Sequence, residues 1–181
     1  AVRFRWKRPK RLCVIVLFGN FAMHIPHSKP TLGKAEQAEV KNAVASSHIA
    51  QGKKVVAFEK AFGKYLGMPG PVATNSGTSA LHLVFLAMGI KSGDEVIIPS
   101  YVCTAVLNAI NYTGAKAVIV DIYDNFNISY ESTKRRLSKQ TKAIILPHIF
   151  GYPADTARFL SLGVPVIEDC AQSIGALYKG R

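Results

Sequence analysis

The chain has 181 residues, a formal net charge of +12, 49% hydrophobic residues and 19% charged ones. That balance excludes a disordered polyelectrolyte and is enough for one domain with a real core. Six of the 23 basic residues lie between Arg3 and Arg11 with no acid among them, so half of the net charge belongs to an N-terminal tail.

The tail runs into an apolar stretch from Leu12 to Phe18, the order of the first two regions of a signal peptide. The stretch is at the short limit, Asn20-Phe21-Ala22-Met23 is a poor cleavage site, and the run is too short to span a bilayer. No nucleic-acid recognition motif accompanies the charges. Residues 1–22 are therefore expected to stand outside the fold, with the organised pattern over 23–181, and neither a membrane nor a nucleic acid is expected as a partner. Cys13, Cys103 and Cys170 are scattered without a C-x-x-C pair, which argues for a reducing cytoplasm over a disulfide framework. His24 and His27 lack further ligands nearby, so no metal site is expected.

Taken in order, residues 25–33 read as an extended, proline-punctuated lead-in. The spacing of Ala38, Val40, Ala43 and Val44 predicts a helix over 34–47, and that of Val55, Phe58, Phe62 and Leu66 a second over 53–66, stopped by Gly67. Both apolar stripes are expected to be core. From there the pattern alternates. Strands are expected at 71–74, 95–98, 116–122, 142–147 and 164–167, with helices at 79–88, 102–112, 130–137 and 154–162. A last segment, 176–181, reads as the start of another strand or hairpin. Short loops between alternating elements imply a mostly parallel sheet with helices on both faces, an α/β fold.

Two places in this pattern invite chemistry. Ser76-Gly77-Thr78-Ser79 lies between a predicted strand and a predicted helix, where backbone N–H groups and the helix N-terminus favour an anion and Thr78 and Ser79 add hydroxyls. The bland alternative is an ordinary N-cap. Far downstream, Val164 to Ile167 reads as a buried strand that delivers Asp169 to its carboxyl end, where open α/β sheets place ligands. A carboxylate there needs a positive partner, and a protonated ring nitrogen is one; here the alternative is a carboxylate capping the next segment. A phosphate cup and a carboxylate for a ring cation together match the two ends of pyridoxal phosphate, with Gln172 placed to donate to its ring oxygen.

Asn75-Ser76-Gly77-Thr78-Ser79-Ala80-Leu81-His82-Leu83, Gly93-Asp94-Glu95-Val96-Ile97-Ile98-Pro99-Ser100, Gly114-Ala115-Lys116 through Asp121, and Ile167-Glu168-Asp169-Cys170-Ala171-Gln172 resemble, in order and spacing, the DegT/DnrJ/StrS family of nucleotide-sugar aminotransferases. The resemblance runs from about residue 25 to 181. It implies the aspartate-aminotransferase-like (type I) large domain and pyridoxal phosphate as cofactor. It also implies an amino-acid donor, expected to be L-glutamate, a nucleotide-linked keto-sugar acceptor for polysaccharide, O-antigen or secondary-metabolite sugars, and a homodimer. By the same resemblance Gly77, Thr78 and Ser79 bind the phosphate, Asp169 the pyridine nitrogen and Gln172 the ring oxygen. Cys103 stands where the family often stacks an aromatic on the cofactor. His148-Ile149-Phe150-Gly151 resembles a segment near the family's site, without an assigned role.

The family's Schiff-base lysine is expected beyond Arg181, as is the small C-terminal domain. This chain is therefore expected to be the truncated front part of an enzyme, inactive by itself. Lys179 is not taken for that lysine. Two alternatives stay open: a keto-sugar dehydratase of the same family, with histidine in the lysine's place, and a non-catalytic truncated or regulatory protein.

Overall fold

A computed structural model describes residues 28–180, which divide after Ala50 into two compact units. The expectations for residues 1–22, His24 and His27 lie outside the described residues. In the first unit, helix α1 (Lys34–Ala45) begins where the Glu36 carboxylate accepts the Gly33 N–H at 2.7 Å, one half of a capping box. It ends where Ser46 Oγ donates to the Ala43 carbonyl. Its apolar stripe is not core, contrary to expectation. Val40 and Val44 are each 64% exposed, and no residue of the helix is buried.

The second unit opens with α2 (Lys53–Leu66), and its end follows from the sequence. Gly67 takes the left-handed conformation at φ 64°, and the Met68 N–H reaches back to the Gly63 carbonyl at 3.0 Å. The predicted stripe is only partly covered. Val55 and Phe62 are half-buried, whereas Phe58 is exposed. The expected strand at 71–74 does not form a ladder. The Ala73 N–H is taken instead by the Glu59 carboxylate of α2 at 2.9 Å, so the segment is tied to a side chain and not to a neighbouring strand.

The remaining elements alternate as expected: α3 (Gly77–Ala87), β1 (Glu95–Pro99), α4 (Thr104–Tyr112), β2 (Lys116–Val120), α5 (Tyr130–Arg136), β3 (Thr141–Pro147), α6 (Thr156–Leu160) and β4 (Val166–Asp169). The four strands form one parallel sheet in the order β2-β1-β3-β4. Alternation along each strand builds two cores. Val96, Ile98, Ala143 and Ile145 face α3 and α4, packing with Phe85, Val106 and Ile110. Ile97, Ile144 and Leu146 face the other way, against Ile128 and Phe159. The strand order reverses between β1 and β3. The connecting helix changes face at the same point, α4 on one side and α5 and α6 on the other, as right-handed crossovers require.

Two further expectations need correction. β4 begins two residues late and lies at the edge of the sheet; its residues are half-buried and Glu168 is exposed, so it is not the fully buried strand its composition suggests. Residues 176–180 are irregular, ending in a bend and a turn with Lys179 left-handed at φ 51°, and do not start a strand. Among the described residues no helix is long and apolar enough to cross a membrane.

Candidate functional site at the carboxyl end of the sheet

All four strands run the same way, so the loops after Pro99, Val120, Pro147 and Asp169 share one end of the sheet. The point where the order reverses, between β1 and β3, is where open α/β sheets form a crevice. Asp169 is the last residue of β4, directly beside Pro147 of β3, and its carbonyl accepts the His148 N–H at 3.2 Å. One carboxylate oxygen of Asp169 takes the Ala171 N–H at 3.0 Å; the other accepts nothing from the described residues. The expected capping role is thus real for one oxygen and leaves the second without a donor among the described residues.

Gln172 is exposed and oriented. Its carbonyl Oε1 accepts the Phe150 N–H at 2.8 Å, so its amide N–H groups are the part left to donate elsewhere. Beside it, the Ser173 hydroxyl is buried without a partner among the described residues.

The cup at the start of α3 is built as an N-cap with spare capacity. Ser76 Oγ accepts the Ser79 N–H at 3.1 Å and donates to Ser79 Oγ at 3.0 Å, which frees the Ser79 hydroxyl proton to point outward. The Gly77 and Thr78 N–H groups, the first two of the helix, find no acceptor among the described residues. Gly77 does not shape the turn by an unusual backbone. It is helical, and a Cβ built on it meets nothing within 4 Å, so only a ligand seated close by would demand glycine there. The same turn forms one end of a cavity of about 320 Å³ between α2 and residues 71–77.

Cys103 caps α4 through its backbone, and its thiol is exposed and free. No hydrogen bond or ring contact joins the Ser76–Ser79 turn to Asp169 or Gln172 among the described residues. They are related through the core: Leu81, one turn into α3, packs in the same cluster as Val102 and Ile167.

The structure gives contacts to residues for which the sequence assigned no role. His148 is buried, with Nδ1 accepting the Ala154 N–H at 3.1 Å and Nε2 facing the Glu168 carboxylate at 2.8 Å. That tautomer places the proton on Nε2. Thr156 Oγ1 donates to the same carboxylate oxygen at 3.0 Å. Cys170 foremost, and then Glu168, raise the His148 pKa above 6.5 against the effect of burial. Asn127, also buried, holds the turn after β3 from both sides: Oδ1 accepts the Ile149 N–H at 3.1 Å and Nδ2 donates to the Tyr152 carbonyl at 3.0 Å. The His148-Ile149-Phe150-Gly151 segment is therefore the frame on which Asp169 and Gln172 are mounted. The only trace of this in the sequence was the segment itself.

The sugar aminotransferase Spr1654 from Streptococcus pneumoniae, in a form with pyridoxal phosphate, is similar over 87% of this chain and 45% of its own, at 30% identity and a TM-score of 0.82. S. venezuelae DesV is 33% identical over 80% of this chain and 42% of its own, with a TM-score of 0.74. The E. coli GDP-4-keto-6-deoxy-D-mannose-3-dehydratase, solved with hydrated pyridoxal phosphate, is 25% identical over 87% and 43%, with a TM-score of 0.81. The chain spans less than half the length of these solved structures. The expected α/β architecture of the large domain is the one they share. A model of the DegT/DnrJ/EryC1/StrS aminotransferase family matches residues 30–181, and the chain belongs to that family.

Proposed function

We propose that the protein to which this chain belongs is a pyridoxal-phosphate-dependent aminotransferase that moves an amino group from an amino acid, L-glutamate, to a keto group of a nucleotide-linked sugar. The observation that carries the proposal is the pair at the end of β4. Asp169 keeps one carboxylate oxygen uncommitted, and Gln172 has its amide locked with the donors outward. The residues fit the cofactor at both of its ends. When bound, pyridoxal phosphate supplies an electron sink for the carbon that bears the amino group.

The chain's own residues have distinct tasks in this reading. The Gly77 and Thr78 N–H groups and the Thr78 and Ser79 hydroxyls hold the phosphate, aided by the partial positive charge at the start of α3. Asp169 keeps a proton on the ring nitrogen by charge pairing. Gln172 donates an N–H to the ring oxygen. The His148 ring makes no hydrogen bond to Asp169 or Gln172; through Glu168 its ring, and through Asp169 its backbone N–H, tie the end of β3 to the end of β4. Cys103 offers the cofactor's face a small polarisable thiol in place of an aromatic ring. None of the described residues is given the role of the lysine that carries the cofactor and moves protons. Lys179 is not that residue; its Nζ sits 5.0 Å above the Tyr178 ring. A homodimer with sites at the subunit interface completes the proposal.

The likeness to the E. coli dehydratase supports a second reading, in which the same site removes water from a keto-sugar. One assay separates the two. Full-length protein, supplied with L-glutamate and a nucleotide-linked 4-keto-6-deoxy sugar, forms 2-oxoglutarate and amino sugar in equal amounts if it is an aminotransferase. Deoxygenated keto-sugar, formed with equal amounts of 2-oxoglutarate and free ammonia and without amino sugar, selects the dehydratase, because loss of the hydroxyl oxygen is a two-electron reduction that the amino donor supplies. Neither product, from protein that retains the cofactor, overturns both.

A further inference from the structure

Three aromatic rings meet at the carboxyl end of the sheet, each from a different loop. Tyr101 follows β1, Phe126 follows β2 and Phe150 follows β3. Their ring centroids lie 5.1 Å (Tyr101 to Phe126), 5.6 Å (Phe126 to Phe150) and 6.2 Å (Tyr101 to Phe150) apart. The rings are not buried by this association: they are 45%, 42% and 67% exposed.

Two of the three are held on backbones that disfavour them. Phe126 has φ 67° and Phe150 φ 54°, the left-handed region that glycine or asparagine would occupy at lower cost. The strain is maintained by neighbours. The Phe126 N–H bonds to the Tyr123 carbonyl, and the Phe150 N–H to Gln172 Oε1, with Asn127 pinning the residue before Phe150. Strain that brings exposed aromatic rings together at a strand switch point is a pattern found at ligand sites.

We propose that Tyr101, Phe126 and Phe150 form an aromatic wall that takes one face of the sugar ring of the nucleotide-linked substrate; this rests on the function proposed above. The sugar is favoured over the nucleotide base by position. Phe150 shares a hydrogen bond with Gln172, the residue assigned to the cofactor ring, and the part of the substrate that reacts there is the sugar, whereas the base is held away by the diphosphate. The C–H faces of a pyranose pack on aromatic faces without any demand for the wall to hydrogen-bond.

The test uses the full-length holoenzyme and its Phe150→Gly, Phe126→Gly and Tyr101→Ala variants. Glycine removes the ring and relieves the left-handed backbone at once, so these two variants retain the fold. Binding of UDP-glucose, dTDP-glucose and GDP-mannose, and of the matched free UDP, dTDP and GDP, is measured by calorimetry, beside the cofactor absorbance and the oligomeric state. The wall predicts that the tightest-bound nucleotide sugar loses about tenfold in affinity in each variant, a loss of the size of one aromatic contact. The matched free nucleotide, the cofactor content and the oligomeric state should be unchanged. Equal losses for sugar and free nucleotide, loss of cofactor, dissociation of subunits, or no change at all would each overturn the wall, as would failure of the unaltered enzyme to bind any of the three nucleotide sugars. An enzyme that lacks pyridoxal phosphate while showing the sugar-specific loss would instead overturn the proposed activity and keep the wall.

Discussion

His148 illustrates how much a single buried side chain settles in this molecule. Its two nitrogens are both committed, one to the Ala154 N–H and the other to Glu168, so the ring couples the turn after β3 to the end of β4. Its pKa is raised above 6.5, chiefly by Cys170 and next by Glu168. A raised folded-state value means that the charged ring is favoured on balance through Cys170 and Glu168, against the loss of the Ala154 N–H bond that only the neutral ring accepts. That contribution is complete below pH 6.5 and is lost as pH rises through the folded-state value. Denaturation midpoints of the full-length protein measured from pH 5 to 9 should therefore show a component that fades on the alkaline side and is absent in His148→Gln. At the start of α3, Ser76→Ala removes the acceptor for the Ser79 N–H. It should cost about 1 kcal/mol in denaturant unfolding and weaken phosphate binding as well. None of the His148 partners was legible beforehand. Glu168 is an ordinary polar residue in the sequence, and only the register of Pro147 with Asp169 brings it to the ring.

Among the elements, α2 shows why a helix end was easier to foresee than a strand. Its stop is local: Gly67 in the left-handed region and a backbone bond from Met68 to Gly63 need only neighbouring residues. The same turn brings Met68 and Pro71 against Gly63, where a Cβ would sit 2.9 Å from the Met68 carbonyl oxygen. Gly63→Ala should therefore destabilise by about 1–3 kcal/mol, although alanine favours helix. A stabilised variant in thermal unfolding would show that the turn yields. Residues 71–74 and β4 depend on distant partners, and there the composition misled. Pro71 to Thr74 has the composition of a strand, but its N–H at Ala73 goes to Glu59. Val166 and Ile167 look like core, but an edge position leaves them half-covered. The aromatic wall was not legible at all, because left-handed Phe126 and Phe150 leave no mark on composition.

At the scale of the molecule, strict alternation was the readable signal. Val96, Ile97 and Ile98 point to opposite faces in turn, and the two cores follow from that and from the short connections. Ile144 is fully buried in the central strand β3, so Ile144→Ala should lower stability by about 2–5 kcal/mol, measured by denaturant unfolding of the full-length protein. The proposed site needs this frame, since its residues come from the ends of β1, β2, β3 and β4 and from the start of α3. The helix start at Ser76 to Ser79 was readable because it is contiguous, and the strand end at Asp169 because it closes an apolar run. The frame that orients Gln172 was not, since Phe150 is 22 residues away in sequence.

The most direct test of the account is the equilibrium affinity of the full-length protein for pyridoxal phosphate, compared with that of Asp169→Ala and of the double variant Thr78→Ala, Ser79→Ala. The account predicts loss of cofactor affinity in both variants, by about tenfold or more in each, with inorganic phosphate competing against the cofactor in Asp169→Ala and losing that ability in the double variant. Affinities equal to that of the unaltered protein in both would contradict it, and would remove this end of the sheet from the cofactor's site.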